Sequence, residues 1–491
     1  MYNYQNTKFL HKIQTYIESK IESGYVLGST IKDGAVSIFK GIPYAAPPEC
    51  RMRWKAHQNP RHGLESAKAH NFSGQVMTMD IRPVLKFKAP VNHQALLTAA
   101  DEALRLFPEF SVQPVLKGSR VFYEENHNHI ALLQSGTRYD FGTSDMNGYL
   151  FCFQADPAKE NEVIFSVYHG LSDWNGISRF FKTIICRYAV HVKGLPDDYF
   201  SGVIRSKAPE KNEWLNEANL NPYEFYARQD AVPSYKPEMP SDVFTLPEED
   251  YSFDSPASRH IRITLSVSQF LKAAKSHNSS FVPYLLYLAS NAIREAYSTD
   301  KNIFLGLPAD LRNVFGADTI VNFSESIFLP SSLQEHSAPA EEQCRRFREM
   351  ITLQKQPENY EAILYDKSRR IRSYEAAPEG IFAKSRELTT QTSELAKSIT
   401  TGITYPGIMD MPEGADDLLE NIIMDSPFGV SFLQITTYRD EMSITSVQRY
   451  DGGKIVKSIC RKLTSAGFDA KIADNRLIAY NILNLERLKR V

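Results

Sequence analysis

The sequence predicts a mixed α/β protein built from two similar halves, and three observations carry that expectation. From about residue 76 the chain alternates strand-like and helix-like patterns. Between about 206 and 256 the rhythm lapses in a stretch rich in Pro, Asp, Glu and Tyr, including YKPEMPSDVFTLPEEDYSFDSP, which reads as a long surface crossover. From 257 onward the alternation restarts. The expected organisation is an arm over 1–75, a first half over 76–225, a linker over 226–256 and a second half over 257–491.

The elements follow in order. Leu10, Ile13, Ile17 and Ile21 recur at helical spacing and predict an amphipathic helix over residues 1–23. Gly24, Gly28, Gly34, Gly41 and the prolines 43, 47 and 48 break residues 24–75 into hairpin and loop. VLKFKAP is a strand, and NHQALLTAADEALRLFPEF a helix with Leu96, Leu97, Ala100, Leu104 and Phe107 on one face. Strands are expected at 121–123 and 129–134. GYLFCFQA and EVIFSVYH alternate on either side of the turn-rich DPAKEN, an antiparallel hairpin leading into the helix ISRFFKTIICRYAVHV.

In the second half HIRITLS is a strand, SVSQFLKAAKSHN and VPYLLYLASNAIREAYS are helices, and NIFLGLP is an apolar strand. Residues 339–396 are charged and helical in character. GVSFLQITTYRDEMSITSVQ forms two strands about a turn at Arg439 and Asp440, and GKIVKSICRKLTSAG is the last helix.

Composition narrows the functional classes. In 491 residues, 56 Lys+Arg face 58 Asp+Glu for a net charge of −2, so no long-range field draws a polyanion and no nucleic-acid partner is expected. Five scattered cysteines without a CxxC pair argue against a disulfide framework or a zinc site. His127 and His129 are a weak pair that suits the flank of a hairpin better than a metal, so no metal is expected. The polar amino-terminal stretch lacks signal-peptide character, and no run approaches the roughly 18 apolar residues of a membrane span. These point to a cytoplasmic protein without a span.

The chemically suggestive feature is VYHGLSDWNG, where His169 and Asp173 stand four residues apart at a strand-to-helix junction. A general base needs a neutral imidazole in a fixed tautomer, and a nearby carboxylate either orients the ring or pins its loop. The same Asp also suits a plain helix cap, and by spacing alone the cap is the better-supported reading.

The stretch NEVIFSVYHGLSDWNGISRFFKTIICRYA resembles the HxxxD segment of the chloramphenicol-acetyltransferase-like superfamily, which includes alcohol acetyltransferases and condensation domains. VLKFKAPVNHQALLTAADEALRLFPEFSVQPV upstream and LGLPADLRNVFGADTIVNFSESIFLP downstream match in the same order, over residues 76–475. The resemblance implies two subdomains, each a mixed sheet with flanking helices, and a central channel between them. It implies His169 as the general base, Asp173 turned away from substrate to pair with Arg312, and Tyr168, Trp174 and Asn322 as candidate channel-lining residues. Co-substrates would be a coenzyme A thioester or an acyl carrier protein with a small hydroxyl or amine acceptor, no cofactor being held permanently. The fused length favours a monomer. Ser166, Ser172, Thr400 and Thr401 are candidate oxyanion hydroxyls, each better read as a routine loop or strand polar group, and Asn322 suits a cap on local backbone as well as the channel wall. Two positions depart from the pattern: Tyr168 replaces a first His, and Trp174 stands where glycine is common, with Asn175 and Gly176 beside it.

A second string, FKGIPYAAPPECRMRW within residues 24–75, is similar to the opening of type-B carboxylesterases through Phe39, Gly41, Ile42, Pro43, Tyr44, Ala45, Pro47, Pro48, Arg53 and Trp54, with Cys50 in place of a glycine. No GxSxG follows anywhere in the chain, since GTSDM, GISRF and GVSFL each lack the closing glycine. The expected function is therefore acyl transfer from a thioester. The alternative is a non-catalytic docking protein of condensation-domain type, and ester hydrolysis ranks third.

Overall fold

The computed structural model describes residues 80–117, 120–205, 221–246, 257–376, 383, 398–427, 431–448, 453–479 and 481–490, together with three strands near the amino terminus. The chain divides into two compact units, Met1–Asn59 and Pro60–Val491. In the first, Tyr16–Ile21 pairs antiparallel with Gly24–Ile31, which pairs with Val36–Ile38. This corrects the helix expected over residues 1–23. Residues 16–21 are a strand because every one of them finds a partner in Gly24–Ile31, and that ladder overrides the helical spacing of Ile17 and Ile21. Residues 1–15 and the carboxylesterase-like string lie outside the described residues.

In the second unit, β1 (Pro83–Phe87) leads to α1 (His93–Leu106), β2 (Leu132–Gln134), β3 (Phe151–Ala155), β4 (Glu162–Tyr168) and α2 (Trp174–Lys193). After residues 221–246, which carry one short helix at Pro222–Phe225, come β5 (Ala257–Ser266), α3 (Val267–Ser276), α4 (Phe281–Tyr297), β6 (Ile303–Asp310) and β7 (Ser324–Ser331). Two helices follow, α5 (Ala340–Gln354) and α6 (Pro357–Ala376), and then β8 (Thr401–Thr404), β9 (Leu419–Met424), β10 (Phe432–Tyr438), β11 (Glu441–Gln448), α7 (Lys454–Ser465) and β12 (Lys471–Ala479).

Two mixed sheets result. The first has the order β9-β1-β4-β3-β2, with Asp80–Ile81 added beside β4. The second has the order β7-β6-β8-β10-β11-β5-β12. Strand β9 comes from the second half of the chain yet pairs antiparallel with β1, so the first sheet is complete only when both halves are folded. LENIIM fits there because Leu419, Ile422, Ile423 and Met424 are all buried.

Aromatic packing fixes α2 on the first sheet. Phe180 stacks on Phe110 at 4.3 Å and meets Phe151 edge-on at 5.4 Å, while Phe181 stacks on Phe165 at 5.8 Å. A fully buried Phe contributes about 1.5–3 kcal/mol, and each such pair adds about 0.5–1.5 kcal/mol. The second core gathers β5, β6, β10 and β11 with α4, α5 and α7 through Ile263, Leu305, Ile435, Ile444, Leu286 and Ile459. No helix among the described residues is long and apolar enough to cross a membrane.

Candidate functional site

The hairpin β3–β4 delivers His169 to the sheet edge. Tyr168 closes the ladder by donating its N–H to Leu150 O at 2.8 Å, and Leu171 N–H returns to Tyr168 O at 3.0 Å. The chain then turns through Gly170–Ser172 into α2. Opposite stands the loop between β6 and β7, closed at its base by Leu311 N–H to Phe323 O at 3.0 Å.

Asp173 joins the two. One carboxylate oxygen caps α2 by accepting from Gly176 N–H at 3.1 Å. The other accepts from Arg312 Nη1 at 2.9 Å and from Phe323 N–H at 2.7 Å. The same carboxylate thus caps α2 and pairs with Arg312. Arg312 is only 5 % exposed. Its Nε and Nη2 donate to Thr319 O and Val321 O, each at 2.7 Å, and Nη1 also reaches Asp310 Oδ1 at 2.8 Å. Thus the guanidinium shapes its own loop while bonding to a carboxylate from the other half, the fork geometry that suits Arg better than Lys.

His169 is half-buried. Its Nδ1 lies 3.2 Å from Ser172 O and 3.3 Å from Asn322 Nδ2. The Ser172 carbonyl only accepts and the Asn322 amide nitrogen only donates, so the tautomer decides which contact is the bond; with the ring hydrogen on Nδ1 it runs to Ser172 and Nε2 is the basic nitrogen. The Asn322 amide donates to His169 O at 3.4 Å, while its own Oδ1 accepts from Ser324 Oγ at 3.1 Å. Burial lowers the imidazole pKa below 6.5, and the Lys367 charge pushes the same way; Asp173 and the backbone bonds pull upward without prevailing. Lys367 is itself anchored by Glu325 and lies 4.5 Å above the Tyr223 ring, whose hydroxyl donates to Ser324 O at 2.6 Å.

The other sequence candidates separate. Tyr168 is fully buried, tilted against Phe141 at 5.6 Å, and so sits in the wall of the first core away from solvent. Trp174 is half-buried against Phe181 at 5.9 Å, in the same core. The close backbone approach expected of a glycine occurs two residues later. A Cβ on Gly176 would lie 1.9 Å from Ile320 O and 2.1 Å from Ser172 Oγ. The four candidate hydroxyls are all engaged: Ser166 on Asp80, Ser172 on Ile320 O, Thr400 on Phe244 O and Thr401 on Ser431 O. His127 is exposed and 3.6 Å from Glu125. A cleft of about 460 Å³ opens beside the ion pair, lined by Asn175, Arg179, Arg312, Asn313 and Gly316 among others. Phe323 N–H, Ile320 O and Lys367 were not singled out from sequence, since two act through backbone atoms and the third sits in a distant helix.

Comparison with solved structures decides the fold. Polyketide synthase associated protein 5 from Mycobacterium tuberculosis superposes with a TM-score of 0.52 at 14% identity, over 81% of this chain and 95% of that one. F. sporotrichioides TRI101, solved with coenzyme A and T-2, gives 0.52 at 11% identity over 82% and 98%. This chain has the chloramphenicol-acetyltransferase-like fold. F. graminearum TRI101, solved with coenzyme A and deoxynivalenol, gives 0.51 at 11% identity over 81% and 96%. No protein-family model matches the chain. No curated protein matches it either.

Two outcomes follow from this geometry. Asp173→Ala removes three hydrogen bonds at once, the helix cap among them, and is expected to cost about 3–5 kcal/mol in urea denaturation, whereas Asp173→Asn keeps the cap and loses less. Gly176→Ala forces Ile320 to move and is expected to lower stability by about 1–3 kcal/mol, read as a fall in melting temperature.

Proposed function

We propose that this protein transfers an acyl group from a thioester to a hydroxyl or amine acceptor, with His169 as the general base. The observation that carries the reading is the imidazole itself: half-buried at the strand end, with Nδ1 3.2 Å from the Ser172 carbonyl, a contact that suits the tautomer whose Nε2 is basic. Burial holds the ring neutral at physiological pH, the form a base requires.

The acceptor O–H or N–H gives its proton to Nε2 as its heteroatom attacks the thioester carbonyl. The tetrahedral intermediate then collapses with loss of the thiolate, which takes the proton back from His169. No acyl-enzyme at His169 is required, because holding donor and acceptor together makes the attack effectively intramolecular. Asp173 takes no part in the proton's path; both its oxygens are spent on Gly176, Arg312 and Phe323, and its work is to hold the loop. Two structures of this fold contain coenzyme A, which supports a coenzyme A thioester as donor, with a carrier-protein thioester as the other form of the same chemistry.

Release of free coenzyme A from a panel of acyl-CoAs, with and without small alcohols and amines, tests the reading. His169→Ala is expected to abolish acceptor-dependent release by about 100- to 10,000-fold while the fold persists by circular dichroism. Unchanged release in that variant overturns it. The rate should also rise with pH through a pKa below 6.5 and level off before neutrality, since only the neutral ring accepts a proton. Lys367→Met, which removes a charge that disfavours the imidazolium, should move that limb to higher pH.

A further inference from the structure

A second set of reactive side chains lies outside the His169 loop. Ser258 and His260 are alternate residues on β5 and so project from the same face of the second sheet. Asp425 directly follows β9, the strand that crosses into the first sheet. His260 Nδ1 is 2.6 Å from Asp425 Oδ1, and Ser258 Oγ is 2.8 Å from His260 Nε2. The Asp425 carboxylate only accepts, so Nδ1 carries the hydrogen, and in the neutral ring Nε2 then receives the Ser258 hydroxyl.

The surroundings favour that arrangement. Asp425 is 4 % exposed. Burial opposes its charge, but His260, Arg476 at 2.6 Å and Arg82 outweigh burial and hold the carboxyl below the usual range. Arg262 projects from the same face of β5 as Ser258 and His260. Its Nε and Nη1, like Nε of Arg82, are buried donors that meet no acceptor among the described residues. Arg82 is tied to the same corner, donating its N–H to Ser426 Oγ at 2.8 Å and accepting Asp425 N–H at 2.9 Å. A serine relay with spare cationic donors beside it is the combination that acyl chemistry uses.

We propose that Ser258 is a second acyl-accepting nucleophile, activated by His260 and Asp425, for a carboxylic thioester or ester. Ser258 Oγ attacks the acyl carbonyl carbon as its proton passes to His260 Nε2. The intermediate expels a thiol or alcohol, which leaves with that proton. Water, deprotonated by the same imidazole, then releases the carboxylic acid and restores the serine. Ser258 has no exposed surface and lies in the seam between the two sheets, so acylation requires the Asp425 corner to part from the sheet face. Compact acyl groups therefore react ahead of bulky ones. This site is independent of the role given to His169.

The test is labelling of the full chain by a small alkyl fluorophosphonate, with the adduct located by peptide mass spectrometry, and p-nitrophenyl acetate turnover measured in parallel. The expected result is an adduct on Ser258 that is retained in His169→Ala, absent in Ser258→Ala and formed about 100-fold more slowly in His260→Gln. If His260→Gln does not fold, labelling of Ser258 in the unaltered chain must still outpace that of every other serine. Absence of a Ser258 adduct in the folded protein, an equal rate in folded His260→Gln, or labelling of Ser258 no faster than of other serines overturns the proposal and makes the three residues a strut between the sheets.

Discussion

The Asp173 carboxylate bears on both halves of the molecule. It ends a strand-to-helix turn on the first sheet and receives Arg312 and the Phe323 N–H from the second. A buried ion pair has no large net stability of its own, because desolvating both charges offsets most of their attraction. Its effect is geometric. Since Arg312 also binds Thr319 O and Val321 O, the loop carrying Asn322 takes its shape around the guanidinium, and the imidazole takes its tautomer from the turn that Asp173 terminates.

This dependence explains why an apparent departure from the family pattern is tolerated. Trp174 needs no small side chain, since its ring turns into the first core beside Phe181. The requirement for a missing Cβ falls on Gly176, which faces Ile320 O across the junction. The glycine signal was visible in the sequence; the position of the close approach depends on how the first turn of α2 meets a loop 144 residues away, and only packing sets that.

The seam between the sheets is polar. Asp80, Ser166 and Asn481 form one hydrogen-bonded group, and burial pushes the Asp80 carboxyl up to about 6. Asp425, His260, Ser258 and Arg476 form another. Such groups position the halves through directional bonds, at the cost of an unfavourable desolvation that apolar contacts avoid. Strand β9 reinforces the junction by carrying its apolar residues into the first sheet, so the first core does not close without residues from the second half.

The α/β alternation, the β3–β4 hairpin, the helix after His169 and the turn at Arg439–Asp440 were all legible, because side-chain periodicity and turn chemistry are local. His169 and Asp173 could be named from their spacing, and Arg312 from the resemblance to a known superfamily. What the sequence could not place were elements governed by partners far along the chain. Tyr16–Ile21 became a strand through its ladder with Gly24–Ile31; β9 inserted beside β1 although some 330 residues separate them; and Ser258, His260 and Asp425 met because an inner strand of the second sheet and a crossing strand converge. The sequence by itself determined which segments bury an apolar face and where an imidazole stands at a strand end. Tertiary structure decided which carboxylate, carbonyl and guanidinium surround it, because hydrogen bonds depend on distances of a few ångströms that linear spacing does not encode.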